Sequence, residues 1–183
     1  TRGTGKTSVA KIFARAVNCL SPLADGSPCG KCENCVELAS NSNFDILEID
    51  AASNNSVDQI RELTDKIGFP PTVGKYKVYI VDEVHMLSKA AFNGLLKTLE
   101  EPPSHAIFIL ATTEIHQIPA TILSRCLRFD FRLVPNGVIA KRIRFIFDDI
   151  GVKYENEAVD LIASAGAGSV RDALSVAGMW VGY

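Results

Sequence analysis

Thr1-Arg2-Gly3-Thr4-Gly5-Lys6-Thr7-Ser8 reads as a phosphate-binding loop, G-x-x-x-x-G-K-[ST], entered after its first glycine. In such a loop the backbone N–H groups curl around the α- and β-phosphates, and glycine permits the close approach. Gly3, Thr4 and Gly5 form the cradle, Lys6 reaches the β- and γ-phosphates, Thr7 offers a hydroxyl to Mg²⁺, and Ser8 follows into the helix. That helix adds the positive end of its dipole to the anion site. So short a match also describes an ordinary glycine-rich connector, and its partners must decide between the two readings.

The deciding partner is Val78-Tyr79-Ile80-Val81-Asp82-Glu83. An apolar strand delivers two acids at its C-terminal end, the edge where open α/β sheets bind ligands. Asp82 suits a Mg²⁺ held through its water shell, and Glu83 suits a water poised for in-line attack on a γ-phosphate. A solvated acidic turn is the usual explanation of an Asp-Glu pair. It loses here because four apolar or aromatic residues precede the acids and a phosphate loop lies upstream. Thr113 closes the next apolar run, Ile109-Leu110-Ala111-Thr112-Thr113, at the same sheet edge. Arg171 falls in the first turn of a later helix, where a cation is mildly unfavourable and an anionic partner would offset the cost. Arg125, in Ser124-Arg125-Cys126, carries a planar guanidinium suited to a phosphate across a subunit boundary. Each of these three has a plain alternative as a strand-end hydroxyl or a solvated cation.

Around these motifs the periodicity alternates between strand and helix. Val9, Ile12, Phe13, Ala16, Val17 and Leu20 predict an amphipathic helix over 6–19. Strands are expected at 44–50, 76–81, 106–111 and 126–131, the second and third of them buried. Helices are expected at about 33–39, 57–67, 88–100 and 119–124. This alternation predicts a parallel sheet covered by helices. From Pro135 onward the strands stop, and three helical patterns follow at about 136–149, 155–164 and 169 to the end. The expected division is a nucleotide-binding domain over 1–133 and a helical lid over 134–183.

The chain has 183 residues, 47% of them apolar, and a net charge of −2. That is enough to bury a core, and it is not the balance of an autonomous, strongly basic nucleic-acid binder. No apolar run approaches membrane-spanning length. The chain opens in mid-motif without an initiator methionine and stops in a helical pattern, so it is expected to be a segment cut at both ends.

In order and spacing, TRGTGKTS, EIDAAS, VYIVDEVHMLS, LLKTLEEPP, ILATTE, ILSRC and GSVRDAL resemble the gamma/tau subunit family of the bacterial DNA polymerase III clamp loader. The resemblance covers essentially the whole chain. It implies an α/β AAA+ P-loop NTPase with a helix-flanked parallel sheet, a zinc-binding insertion and a small helical lid. It further implies Lys6 and Thr7 as the Walker A pair, Asp82 and Glu83 as the Walker B pair, Thr113 as sensor 1 and Arg171 as sensor 2. Arg125 becomes the finger acting on the adjacent subunit's ATP. The implied partners are the other subunits of a hetero-pentamer, the sliding clamp and primer–template DNA, in a cytoplasmic, nucleoid-associated protein. Two departures stand out. The family's adenine pocket, central strand and first loop glycine precede Thr1. The segment that often carries basic residues toward DNA reads Asn54-Asn55-Ser56, with Arg61 as its one plausible phosphate contact.

Cys19, Cys29, Cys32 and Cys35 form C-x9-C-x2-C-x2-C. Two x2 spacings bring three thiolates to one ion, and Cys19 closes a tetrahedron suited to Zn²⁺, the metal that the resemblance also implies. Disulfides do not suit a cytosolic nucleotide-hydrolysing protein. An iron–sulfur cluster is the sharper rival, but its usual run places the fourth Cys downstream and before a proline. Cys126 is expected to be a small buried strand residue. His85 and His116 stand without ligand-spaced partners and are assigned neither to metal nor to catalysis.

These readings converge on an ATP-driven switch that loads the clamp. A non-hydrolysing scaffold subunit is the first rival, disfavoured because both Walker pairs are present. A branch-migration or helicase motor is the second, opposed by the cysteine insertion and the SRC motif.

Overall fold

The structure, a computed structural model, describes residues 1–40, 43–53 and 64–182. Asn54, Asn55, Ser56 and Arg61, and most of the helix expected over 57–67, lie outside the described residues. Two compact units emerge, one of residues 7–128 and one of residues 1–6 with 129–183.

The first unit is built on a parallel sheet in the order β1 (Ile46–Asp50), β2 (Lys77–Asp82), β3 (Ala106–Leu110). Asp50 is level with Asp82, and Val81 with Leu110. β2 is central, and its alternation sorts side chains to two faces. Val78 and Ile80 meet Ala10 and Ala14 of α1 (Lys6–Ala16). Tyr79 and Val81 join Ala91, Phe92 and Leu95 of α3 (Lys89–Glu100) on the other face. Such double burial explains the uninterrupted apolar run of β2. Ser88 caps α3 by accepting the Ala91 N–H, and residues 102 and 103 are the prolines that stop it. Between α1 and β1 lies the short α2 (Glu33–Glu37). Beyond β3 lies α4 (Ala120–Leu123).

Three expectations are corrected. No strand forms over 126–131, where Leu127 and Phe129 are 88% and 78% exposed. The alternating pattern is present, but a strand persists only against a neighbour that satisfies its backbone, and none of the described strands pairs with this segment. Cys126 is therefore not a strand residue, although it is half-buried against the core. β3 is half-buried rather than buried, since β2 is its one described neighbour. α1 forms where a helix is expected, and its buried residues are the small Ala10 and Ala14, which allow close approach to the sheet, while Val9, Ile12 and Phe13 remain exposed.

The second unit carries α5 (Asn136–Asp149), α6 (Asn156–Ala165) and α7 (Val170–Val181). Ile139, Ile143, Phe147, Val159, Ile162, Ala173 and Ala177 make its core. Phe147 stacks on Trp180 at a ring separation of 5.7 Å. None of the described helices is long and apolar enough to cross a membrane.

Candidate functional site

In the first unit, the C-terminal ends of β2 and β3 gather a polar cluster. Thr7 Oγ1 donates to Asp82 Oδ2 at 2.6 Å, so the first-turn hydroxyl of α1 and the strand-end carboxylate face each other. Two hard oxygen donors in this relation fit Mg²⁺ chemistry. Glu83 follows in the left-handed region, at φ 46° and ψ 44°. That backbone costs a non-glycine residue on the order of 1–3 kcal/mol and persists only when its surroundings hold it. They do so from three sides: the Glu83 N–H donates to Asp82 Oδ1, Met86 N–H donates to the Glu83 carbonyl, and Thr113 grips the side chain. Thr113 Oγ1 donates to Glu83 Oε2 at 3.0 Å, with its N–H at 3.3 Å.

Arg125 is not brought to these acids. It follows α4, where its guanidinium donates to the Thr121 carbonyl at 2.5 Å and pairs with Glu100 at 2.9 Å.

In the second unit, the glycine loop meets the N-terminus of α7. The Gly3 carbonyl accepts from Val170 N–H at 3.0 Å and from Arg171 N–H at 3.4 Å. Gly3 has φ +68°, and a Cβ there would fall 1.9 Å from Ser169 Oγ, so no other residue fits. Ser169 in turn caps α7 by accepting Asp172 N–H. The Arg171 side chain is exposed in the first turn. Within the loop, Gly5 adopts φ +92°, Lys6 Nζ donates to the Thr1 carbonyl, and Thr4 lies within hydrogen-bonding distance of Thr1. Ser8 is exposed on α1.

The four cysteines converge in the first unit. Their sulfurs all lie within 4.8 Å of one another, with Cys19–Cys32 and Cys29–Cys35 both at 3.9 Å. A tetrahedral S₄ site with Zn–S near 2.3 Å needs sulfurs about 3.8 Å apart, so the donor set could hold a zinc ion. The turn is shaped for thiolates. N–H groups of Lys31 and Cys32 point at Cys29 Sγ and lower its pKa to about 6. Burial instead pushes the Cys35 thiol up to about 12, a preference for the protonated form that a coordinated cation reverses. The Asn34 side chain donates to the Asn18 carbonyl and ties α2 to the residues after α1.

Sequence reasoning missed one residue of the strand-end cluster. His85 has neighbours after all, with Nδ1 at 3.0 Å from Thr112 Oγ1 and 3.4 Å from Glu83 Oε2. The signal was its place two residues after Glu83, in a 3₁₀ turn over Val84–Met86 that folds it back.

A helix-flanked parallel sheet followed by a helical unit is the fold of a P-loop protein of the AAA+ class. A family model described as DNA polymerase III, delta subunit, matches residues 1–135. A second, described as DNA polymerase III clamp loader subunit, ATPase lid domain, matches residues 138–177. The chain belongs to the gamma/tau clamp-loader family of DNA polymerase III. It is 57% identical to DNA polymerase III subunit tau of Bacillus subtilis over 96% of its length, spanning 31% of that protein. It is 46% identical to subunit tau of Escherichia coli, again over 96% of this chain and 27% of the relative. The chain thus spans less than a third of these relatives. Among solved structures, a gamma subunit-related protein of Thermotoga maritima aligns with a TM-score of 0.57 at 23% identity, over 94% of this chain and 57% of that one. The RuvB branch-migration motor of the same organism aligns at 0.65 and 19%, over 97% and 50%. These two likenesses establish the fold alone.

Proposed function

We propose that the chain is the ATP-binding and hydrolysing part of a clamp-loader subunit. Residues 1–133 serve as its nucleotide-binding domain and 134–183 as its lid. What supports the reading most is the 2.6 Å bond between Thr7 and Asp82, which joins the phosphate-loop motif to the acidic strand end. Backbone N–H groups of Gly3, Thr4, Gly5 and Ser8 and the Lys6 ammonium bind the phosphates. Thr7 and Asp82 hold Mg²⁺, which when bound neutralises phosphate charge. Glu83 takes a proton from the attacking water as its oxygen bonds to the γ-phosphorus. The bond from that phosphorus to the β,γ-bridging oxygen breaks, and ADP and phosphate leave. Thr113 orients this carboxylate, and Arg171 links the γ-phosphate to the lid. Arg125 acts on the ATP of the neighbouring subunit. Cys19, Cys29, Cys32 and Cys35 hold a structural zinc ion.

In the assembled hetero-pentamer this cycle opens the sliding clamp and releases it on primer–template DNA, in the cytoplasm at the nucleoid. The test uses the full-length chain in its complex. Glu83→Gln should bind ATP as wild type does and lose hydrolysis by about 10²-fold or more. Lys6→Ala should lose ATP binding. Wild-type turnover by Glu83→Gln would leave a non-hydrolysing scaffold as the better description.

A further inference from the structure

We infer that His85 is a positioning residue for Glu83, fixing which carboxylate oxygen is anchored and which is left to take the proton. The inference rests on the reading of Glu83 as the base.

The geometry begins with the backbone. The left-handed Glu83 followed by a 3₁₀ turn returns the imidazole toward the carboxylate it follows by two residues. The His85 side chain is only 11% exposed. By contrast, His116 lies the same 3.4 Å from Glu114 but is 72% exposed. The second pair is a solvated surface contact, whereas the first is held in place.

Two contacts of Nδ1 bear on its protonation, Thr112 Oγ1 at 3.0 Å and Glu83 Oε2 at 3.4 Å. Thr112 Oγ1 already accepts the Glu114 N–H at 2.9 Å. A bare Nδ1 would accept the Thr112 O–H but would also turn its lone pair toward Glu83 Oε2. A protonated Nδ1 instead donates between Oε2 and the Thr112 hydroxyl, which has a second lone pair to offer. The N–H and hydroxyl of Thr113 donate to Oε2, and the His85 ring nitrogen lies 3.4 Å from the same oxygen. Among the described residues no donor meets Oε1. Oε2 is the anchored oxygen and Oε1 the one free to accept a proton.

Asparagine can place an amide N–H near the Nδ1 position, whereas glutamine matches Nε2. Steady-state ATPase of the full-length chain in its assembled complex should show kcat lowered about 10–100-fold by His85→Ala and His85→Gln, the scale of a misplaced catalytic group. KM for ATP and nucleotide affinity should stay unchanged. His85→Asn should recover most of kcat, and His116→Ala should behave as wild type. His85→Ala placed on Glu83→Gln should lower the rate no further. Wild-type kcat in His85→Ala, equal losses in His85→Asn and His85→Gln, or an additive double variant would overturn the inference while leaving Glu83 as base. If His85→Ala does not fold, the comparison of Asn with Gln carries the test. A fully active Glu83→Gln would remove the reading beneath it.

Discussion

A buried carboxylate is tolerable only where something satisfies its charge, and Asp45 meets that condition at the entry to β1. It is fully buried and accepts from the N–H groups of Thr72, Val73 and Gly74 at 2.7, 2.6 and 3.0 Å. Burial alone would raise its pKa; the three amides and the Lys77 charge outweigh it, and the net shift is downward. A lowered folded pKa means that the stabilising contribution is fully present above the unfolded value, near 3.9, and is lost as pH falls through the folded value. Asp45→Ala strands three donors, and urea unfolding at neutral pH should show a loss of about 3 kcal/mol or more. The gap between wild type and variant should narrow as pH drops below the ordinary carboxylate range. A gap that is constant with pH would mean that the charge is irrelevant. Nothing in the local sequence marks Asp45 apart from any acid at a strand start. Its importance comes from a loop more than 25 residues away, and long-range backbone donors leave no periodic trace.

Elements built from local pattern were legible, and those that depend on a neighbour were less so. β2 and α3 could be read directly, because a doubly buried strand and a Ser-capped, proline-stopped helix carry their causes within themselves. Residues 126–131 show the opposite case: alternating apolar residues without a described ladder partner stay outside the sheet. The contact face of α1 was not marked by its pattern, because large apolar side chains dominate periodicity, whereas the close contact with the sheet is made by Ala10 and Ala14. The cysteine insertion was legible from spacing alone, since two x2 intervals constrain sulfur positions tightly. Elemental analysis should find one zinc per chain. Cys35→Ser should lower zinc affinity by more than the roughly 10–100-fold typical of losing an outer-shell partner. Chelation should lower the unfolding temperature of the first unit. No metal in protein purified without chelator would remove the structural-zinc reading, and iron with visible absorbance would favour a cluster.

At the scale of the whole molecule, the proposed function requires one group to act beyond its own subunit. Arg125 is the residue for which this can be measured. Its ion pair with Glu100 is exposed, with side-chain accessibilities of 36% and 50%. Exposed pairs of this kind contribute about 0–1 kcal/mol and weaken with salt, so the guanidinium is held but readily given up to a stronger anion. A polyphosphate on a neighbouring subunit is such an anion, and a planar fork binds it through paired hydrogen bonds. Arg125→Ala should therefore leave the unfolding temperature of the isolated chain essentially unchanged. In the full-length complex it should lower DNA- and clamp-stimulated ATPase by about 10³-fold or more, the scale of an arginine finger. The proposed arrangement in trans makes a sharper demand. In complexes carrying the substitution in one subunit only, hydrolysis should fail at the neighbouring site that receives the arginine, while the altered subunit's own site still turns over. Loss confined to the altered subunit's own ATP would place Arg125 in cis, and unchanged stimulated ATPase would reduce it to the surface ion pair it makes with Glu100.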